Sequence, residues 1–251
     1  MAKLLKNKVA IVTGSSRGIG KAILEKLASQ GANIIACSSK KNKNHKKYCE
    51  TLAKKNKVNI IPIFFNLDNQ DEIKNGIEKI KKLNIKINYL INNAGIITTS
   101  SFQMTKEADL AEVFRVNFFS QFYFTQHVSK MMIRTNGSKS IVNISSSSGL
   151  DNDSGRSVYS ASKASLISLS STLSKELAAF KIRVNTIAPG LTETDMMKNN
   201  TKKEYIEQAL THISLKRIGK PEEIANVVFF LCSDLSSYVN GQTIRVDGGM
   251  H

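Results

Sequence analysis

Tyr159 and Lys163 stand four residues apart in Tyr159-Ser160-Ala161-Ser162-Lys163. On a helix that spacing puts both side chains on one face. A lysine ammonium beside a phenol favours the phenolate, so the pair predicts a Tyr159 pKa below its usual value of about 10. Such a phenol can give or take a proton near neutral pH. Alone, YxxxK more often marks an exposed helix face. Here it follows the serine run Ser145-Ser146-Ser147-Ser148 at the end of an apolar segment, which makes the pattern specific.

A second chemical signal lies near the N-terminus, in Thr13-Gly14-Ser15-Ser16-Arg17-Gly18-Ile19-Gly20. Glycines let the backbone turn tightly and approach a pyrophosphate, and a following helix offers free N–H groups and its positive dipole end. The spacing is GxxxGxG, not the GxGxxG of the general dinucleotide fingerprint. The next apolar run ends at Ala36-Cys37-Ser38-Ser39-Lys40, where an NAD-binding fold places an acid for the ribose 2′-hydroxyl. Ser38 takes that place, and no Asp or Glu occurs between Gly31 and Cys49. A carboxylate would repel a 2′-phosphate, whereas the Arg17 guanidinium can grip it. The expected cofactor is therefore NADP(H). Lys40, Lys41, Lys43, Lys46 and Lys47 read mainly as a solvated helix face.

Such motifs need rigid elements to hold them. Strand-like runs occur at Val9–Val12, Asn33–Ala36, Asn59–Phe65, Tyr89–Ile91, Ser140–Ile144, Arg183–Ile187 and Thr243–Val246. Helical patterns lie between them near 18–30, 44–56, 69–83, 105–132, 157–180 and 221–232. This β-α-β-α rhythm predicts an α/β fold: a doubly wound, Rossmann-like sheet of seven mainly parallel strands with helices on both faces. No repeat or linker divides the chain, so residues 1–251 are expected to form a single domain. Its ligand crevice should lie beyond the carboxyl ends of the strands, where the motifs fall.

Composition narrows the class. The 251 residues contain 36 Lys and Arg against 20 Asp and Glu, a net charge of +16. The lysines are spread along the whole chain without an aromatic-interleaved basic stripe, so solvated faces are favoured over nucleic-acid binding. Three distant cysteines, Cys37, Cys49 and Cys232, fit neither a disulfide scaffold nor a Cys-rich metal module, and no metal is expected. The first residues hold no apolar core of signal-peptide length, and the longest apolar runs are too short to span a membrane. A soluble, cytoplasmic protein is the expectation.

Taken together, the TGxxxGxG turn, Asn92-Asn93-Ala94-Gly95, Asn117 in Arg115-Val116-Asn117-Phe118, the serine run, YxxxK and Pro189-Gly190 resemble the short-chain dehydrogenase/reductase family in order and spacing, over essentially the whole chain. The resemblance implies an oxidoreductase, a nicotinamide cofactor and a homotetramer. It implies that Tyr159 exchanges a proton with the carbonyl or alcohol oxygen, and that Lys163 serves both that phenol and the nicotinamide ribose. Ser146, thirteen residues before the tyrosine, would hold the carbonyl oxygen, and Asn117 would hold a relay water. Gly14, Ser16, Arg17, Gly18, Ile19, Gly20, Ser38, Ser39, Asn66, Leu67, Asn93, Ala94, Gly95, Pro189, Gly190 and Thr194 would contact the cofactor beside Tyr159 and Lys163. Two positions depart from the family pattern, with Asn66 and Asn88 standing where acids are frequent.

Within the family, Thr13–Gly20, Pro189–Met196, Leu215–Ile224 and Val246–Met250 are most similar to the 3-oxoacyl-[acyl-carrier-protein] reductases of fatty-acid synthesis. That implies a carbonyl substrate on an acidic carrier protein, for which Arg134, Lys139 and Lys175 are candidate basic-rim residues. The alternatives are a dehydrogenase for a sugar or another small secondary alcohol, and a non-catalytic NADP sensor or scaffold. The segment at about 191–213 is expected to be a substrate lid, with Lys198, Lys202, Lys203, Tyr205 and His212 suiting an anionic or polar substrate.

Overall fold

The computed structural model describes residues 3–201 and 203–250. In chain order the elements are β1 (Val9–Thr13), α1 (Gly18–Ser29), β2 (Asn33–Ser38), α2 (Lys43–Asn56), β3 (Ile60–Phe64), α3 (Gln70–Lys82), β4 (Tyr89–Asn92), α4 (Glu107–Phe114), α5 (Ser120–Ile133), β5 (Lys139–Ile144), α6 (Ser148–Asp151), α7 (Ser157–Glu176), β6 (Ile182–Pro189), α8 (Asp195–Asn200), α9 (Lys203–His212), α10 (Pro221–Cys232) and β7 (Thr243–Val246). The strands form one sheet in the order β3-β2-β1-β4-β5-β6-β7, and every adjacent pair is parallel.

The apolar runs are explained by burial on both faces, since a parallel sheet is covered by its own crossover helices. Side chains alternate across the sheet. Ala10 and Val12 pack with Ile23 and Leu27 of α1 and with Val228 and Leu231 of α10. Ile11, between them, faces the opposite layer, with Ile73 and Ile77 of α3 and Phe124 and Val128 of α5. Asn69 starts α3 by accepting the backbone N–H groups of Asp71 and Glu72, as an N-cap should.

Asn88 takes over the tie that an acid would supply. Its Oδ1 accepts the Val9 N–H at 3.0 Å, and its Nδ2 donates to the Ser138 carbonyl at 3.5 Å, so β1, β4 and the approach to β5 are joined without a charge. The helical pattern near 105–132 is not one regular helix: α4 and α5 are joined by a π-helical turn over Arg115–Phe119, with Asn117 fully buried in it.

The proposed basic rim is corrected by the topology. Each helix returns the chain to the amino end of the next strand. Arg134 follows α5 and Lys139 opens β5, while Lys175 sits in the last turn of α7 before β6. All three lie at the edge opposite the cleft of their own chain. Lys139 is also buried, donating to the Thr135 carbonyl at 2.9 Å. The cysteines at 37, 49 and 232 are buried and unbridged. No helix among the described residues is long and apolar enough to cross a membrane.

Candidate active site

The sheet order reverses between β1 and β4, which opens a crevice between the turns that follow them. These turns are tied together. Thr13 Oγ1 accepts the backbone N–H groups of Asn93 and Ala94 at 3.0 and 3.1 Å, while Asn93 Nδ2 donates to the carbonyls of Thr13 and Gly14 at 3.0 and 3.2 Å. Gly14 turns with φ 66°, in the left-handed region. A Cβ at Gly20 would stand 2.1 Å from the Gly14 carbonyl oxygen, so α1 approaches the turn as closely as a bare backbone allows.

Three features of this cradle fit a phosphorylated dinucleotide. The first turn of α1 has neither a side-chain cap nor an acidic residue, which leaves its N–H groups and dipole for an anion. The Arg17 guanidinium is exposed and makes no hydrogen bond or ion pair with the described residues. At the end of β2, the Ser38 hydroxyl is buried and has no partner. Such an orphan costs about 1–3 kcal/mol, and an acceptor or donor on a bound ribose phosphate would relieve it.

Tyr159 and Lys163 lie in the first two turns of α7, both buried. Ser146 and Tyr159 both line the cleft, close enough for the serine hydroxyl to act on the phenol. The serine run now sorts itself. Ser145 Oγ donates to the Lys163 carbonyl at 2.9 Å, Ser148 Oγ donates to Asp153, and Ser147 is buried. Ser146, half-buried, remains to face the cleft, its oxygen accepting the Ser148 N–H at 3.2 Å.

The expected depression of the Tyr159 pKa is not found. Burial pushes the phenol up, opposed by the neighbouring Ser146 hydroxyl and the Arg156 charge, with Asp153 adding to the rise. Lys163 Nζ donates to the Ile144 carbonyl at 2.9 Å and stands 5.8 Å from the Tyr159 ring centre, in cation–π contact with the ring rather than hydrogen-bonded to the phenol. Burial lowers the Lys163 ammonium from 10.5 to about 8.

A cleft of roughly 400 Å³ joins cradle and tyrosine. Gly14, Ser16, Arg17, Gly18, Ile19, Gly20, Ser38, Ser39, Asn66, Leu67, Asn93, Ala94, Gly95, Ser146, Tyr159, Lys163, Pro189, Gly190 and Thr194 all line it. Asn117 does not. It sits behind Gly95, whose Cβ would stand 3.2 Å from Asn117 Oδ1 and 3.3 Å from Lys163 Nζ. Its amide donates to the Ile96 carbonyl and the Ser162 hydroxyl and accepts the Ile96 N–H.

The lid expectation needs correction at its charges. Met196, Met197 and Tyr205 line the cleft, but Lys198 and Lys203 are exposed and paired with Glu193 and Glu207, and His212 bonds within its own helix. Lys202 lies outside the described residues. Asp153 and Arg156, which no motif marked as site residues, line the cleft with Tyr159, and Asp68, Glu112 and Asp195 add further charge to its lining. A signal for Arg156 was present: it precedes Tyr159 by three residues, a helical neighbour spacing.

Residues 14–251 match the family described as enoyl-(acyl carrier protein) reductase. The 3-oxoacyl-[acyl-carrier-protein] reductase FabG of Aquifex aeolicus is 42% identical over 249 residues, spanning 98% of each chain. The chain belongs to the short-chain dehydrogenase/reductase family. The FabG of Thermotoga maritima is likewise 42% identical to this dehydrogenase/reductase, over 247 residues and 98% of both chains. A solved structure from Beutenbergia cavernae, a candidate NAD(P)-dependent gluconate 5-dehydrogenase with NADP at low occupancy, superposes with a TM-score of 0.91 at 28% identity. That superposition covers 99% of this chain and 98% of the other.

Proposed function

We propose that the chain is an NADP(H)-dependent reductase of 3-oxoacyl thioesters carried on acyl carrier protein. The observation that carries the chemistry is that Ser146 and Tyr159 line one cleft as near neighbours, which brings two hydroxyls toward one substrate oxygen. Full-length relatives named as 3-oxoacyl-[acyl-carrier-protein] reductases support the substrate class. The orphan Ser38 hydroxyl, free Arg17 and uncapped α1 support NADP(H) over NAD(H).

When bound, NADPH supplies hydride to the carbonyl carbon. Ser146 donates a hydrogen bond that fixes and polarises the carbonyl oxygen. Tyr159 gives its phenolic proton to that oxygen as negative charge develops on it, and burial suits this role by keeping the phenol protonated until then. Lys163 is placed to serve the ribose and to return a proton toward the phenol. Asn117 anchors Ile96 beside Lys163 and holds a relay water there. Residues 191–213 act as the lid, with Met196, Met197 and Tyr205 on its inner face. Exposed Leu110, Phe119 and Phe122 along α4 and α5 support assembly into the homotetramer.

The experiment is a comparison of carrier-bound acetoacetyl substrate, its small thioester analogue and a polyol panel, each with NADPH or NADH. Thioester reduction with NADPH is expected. The solved relative described as a gluconate 5-dehydrogenase favours a second reading, a small-alcohol dehydrogenase. Polyol oxidation without any thioester reduction would decide for it. A sensor without catalysis is opposed by the placement of both Tyr159 and Lys163 in the cleft.

A further inference from the structure

One guanidinium in the cleft has most of its donors without a protein partner. Arg156 immediately precedes α7 and lines the cleft with Tyr159, three residues on. Its side chain is only 12% exposed, yet among the described residues its guanidinium makes a single hydrogen bond, a long one of 3.4 Å from Nη1 to Asp153 Oδ2. That carboxylate oxygen is shared with the Ser148 hydroxyl. One flat face is covered by Tyr205 of α9, its ring centre 4.9 Å from the guanidinium carbon. A guanidinium carries five N–H donors in its plane. With Tyr205 over the guanidinium and Nη1 toward Asp153, Arg156 still lines the cleft with Ser146 and Tyr159 and keeps donors that no described residue accepts.

A charge this enclosed is costly unless its donors find acceptors. We propose that Arg156 is a specificity-determining residue that receives a second oxygen of the substrate, a carbonyl separated from the reacting carbonyl by one methylene, so that the cleft selects 1,3-dicarbonyl compounds over isolated ketones. The Asp153 carboxylate beside the guanidinium repels a second carboxylate, which favours a neutral carbonyl there. The inference deepens the reductase reading above and rests on Ser146 and Tyr159 holding the reacting oxygen. A 3-oxoacyl thioester carries its thioester carbonyl in that relation.

The test uses pentane-2,4-dione and pentan-2-one, which differ by one oxygen. For each protein, kcat/KM for the dione is divided by that for the monoketone, with NADPH as reductant. Comparing this ratio between wild type and Arg156→Gln cancels intrinsic reactivity. It should fall about tenfold or more in Arg156→Gln, the loss of a charge-assisted hydrogen bond. Arg156→Lys should restore part of it, and Tyr205→Phe, which keeps the ring, should retain it. An equal fall for both ketones in Arg156→Gln would show a structural role and overturn the inference. So would an unchanged ratio, or a wild type that does not favour the dione. Acetoacetyl thioester run alongside separates the two readings. No thioester reduction with an Arg156-dependent dione preference sinks the reductase reading and leaves this inference standing.

Discussion

Lys163 Nζ donates to the carbonyl oxygen of Ile144 across 2.9 Å, so the catalytic helix is tied to the end of the strand that delivers Ser146. This bond holds the lysine in place without the phenol's help. It also leaves the ammonium buried with little compensating charge, which is why its proton is lost at about pH 8.

That burial makes stability depend on pH. Between about pH 8 and 10.5 the folded chain has released the Lys163 proton while the unfolded chain still binds one. At this site the unfolded state then holds more protons, so the Lys163 contribution to stability rises with pH across this window. The buried cysteines, whose thiols are raised by burial, act the other way and are common to both proteins, so the urea midpoint of wild type should rise relative to that of Lys163→Met between pH 7.5 and 10. Parallel curves for the two proteins would count against a depressed lysine.

Tyr159→Phe removes the transferable proton and keeps the ring. Turnover should fall by about 10²- to 10⁴-fold, the usual scale of general acid–base catalysis, while the NADPH Kd stays within a factor of about two. Ser146→Ala should cost about 10²-fold through loss of one donor to the carbonyl oxygen. Stopped-flow transients with matched fluorescence titrations separate chemistry from binding, and retained turnover in Tyr159→Phe would refute the proton-donor role.

Cofactor choice should follow the charge at the β2 corner. Arg17→Ala should narrow the NADPH-over-NADH ratio of kcat/KM by about tenfold, one charge-assisted contact. Ser38→Asp should push it further toward NADH, because the carboxylate repels a 2′-phosphate and accepts from a ribose hydroxyl. Equal use of both cofactors by wild type would remove the basis of this assignment.

Gly20→Ala should damage the cradle sterically. The new methyl would stand 2.1 Å from the Gly14 carbonyl oxygen, which is backbone and must move. The expected cost is about 1–3 kcal/mol of stability with weakened NADPH binding, read by calorimetry. Normal stability and affinity would mean that the turn is softer than its packing indicates.

The sheet was legible in the sequence because strands buried on both faces read as continuous apolar runs, and all seven are found with small changes at their ends. The cofactor side of the site was legible because glycine spacing and a missing acid are local signals. What escaped depended on the path of the chain in three dimensions. Lys139 reads as a surface charge, yet it opens a buried strand at the far edge. The lid lysines read as substrate contacts, but their neighbouring glutamates hold them outward. The pKa of Tyr159 turned on burial, which a four-residue spacing does not reveal.

The wide turn at Arg115–Phe119 governs which insertions and deletions this region tolerates. Each residue added to a helix advances it by about 100°. Removing one residue from α4 would let the helix close into a regular spiral, yet it would swing Asn117 about a quarter turn or more from Ile96 and break both of their backbone ties. Length changes between Glu107 and Asn117 therefore survive only as compensated pairs, whereas the mostly exposed stretch 101–106 ahead of them has room to lengthen. The irregular turn is a fixed register mark, and drift in this chain has to proceed around it.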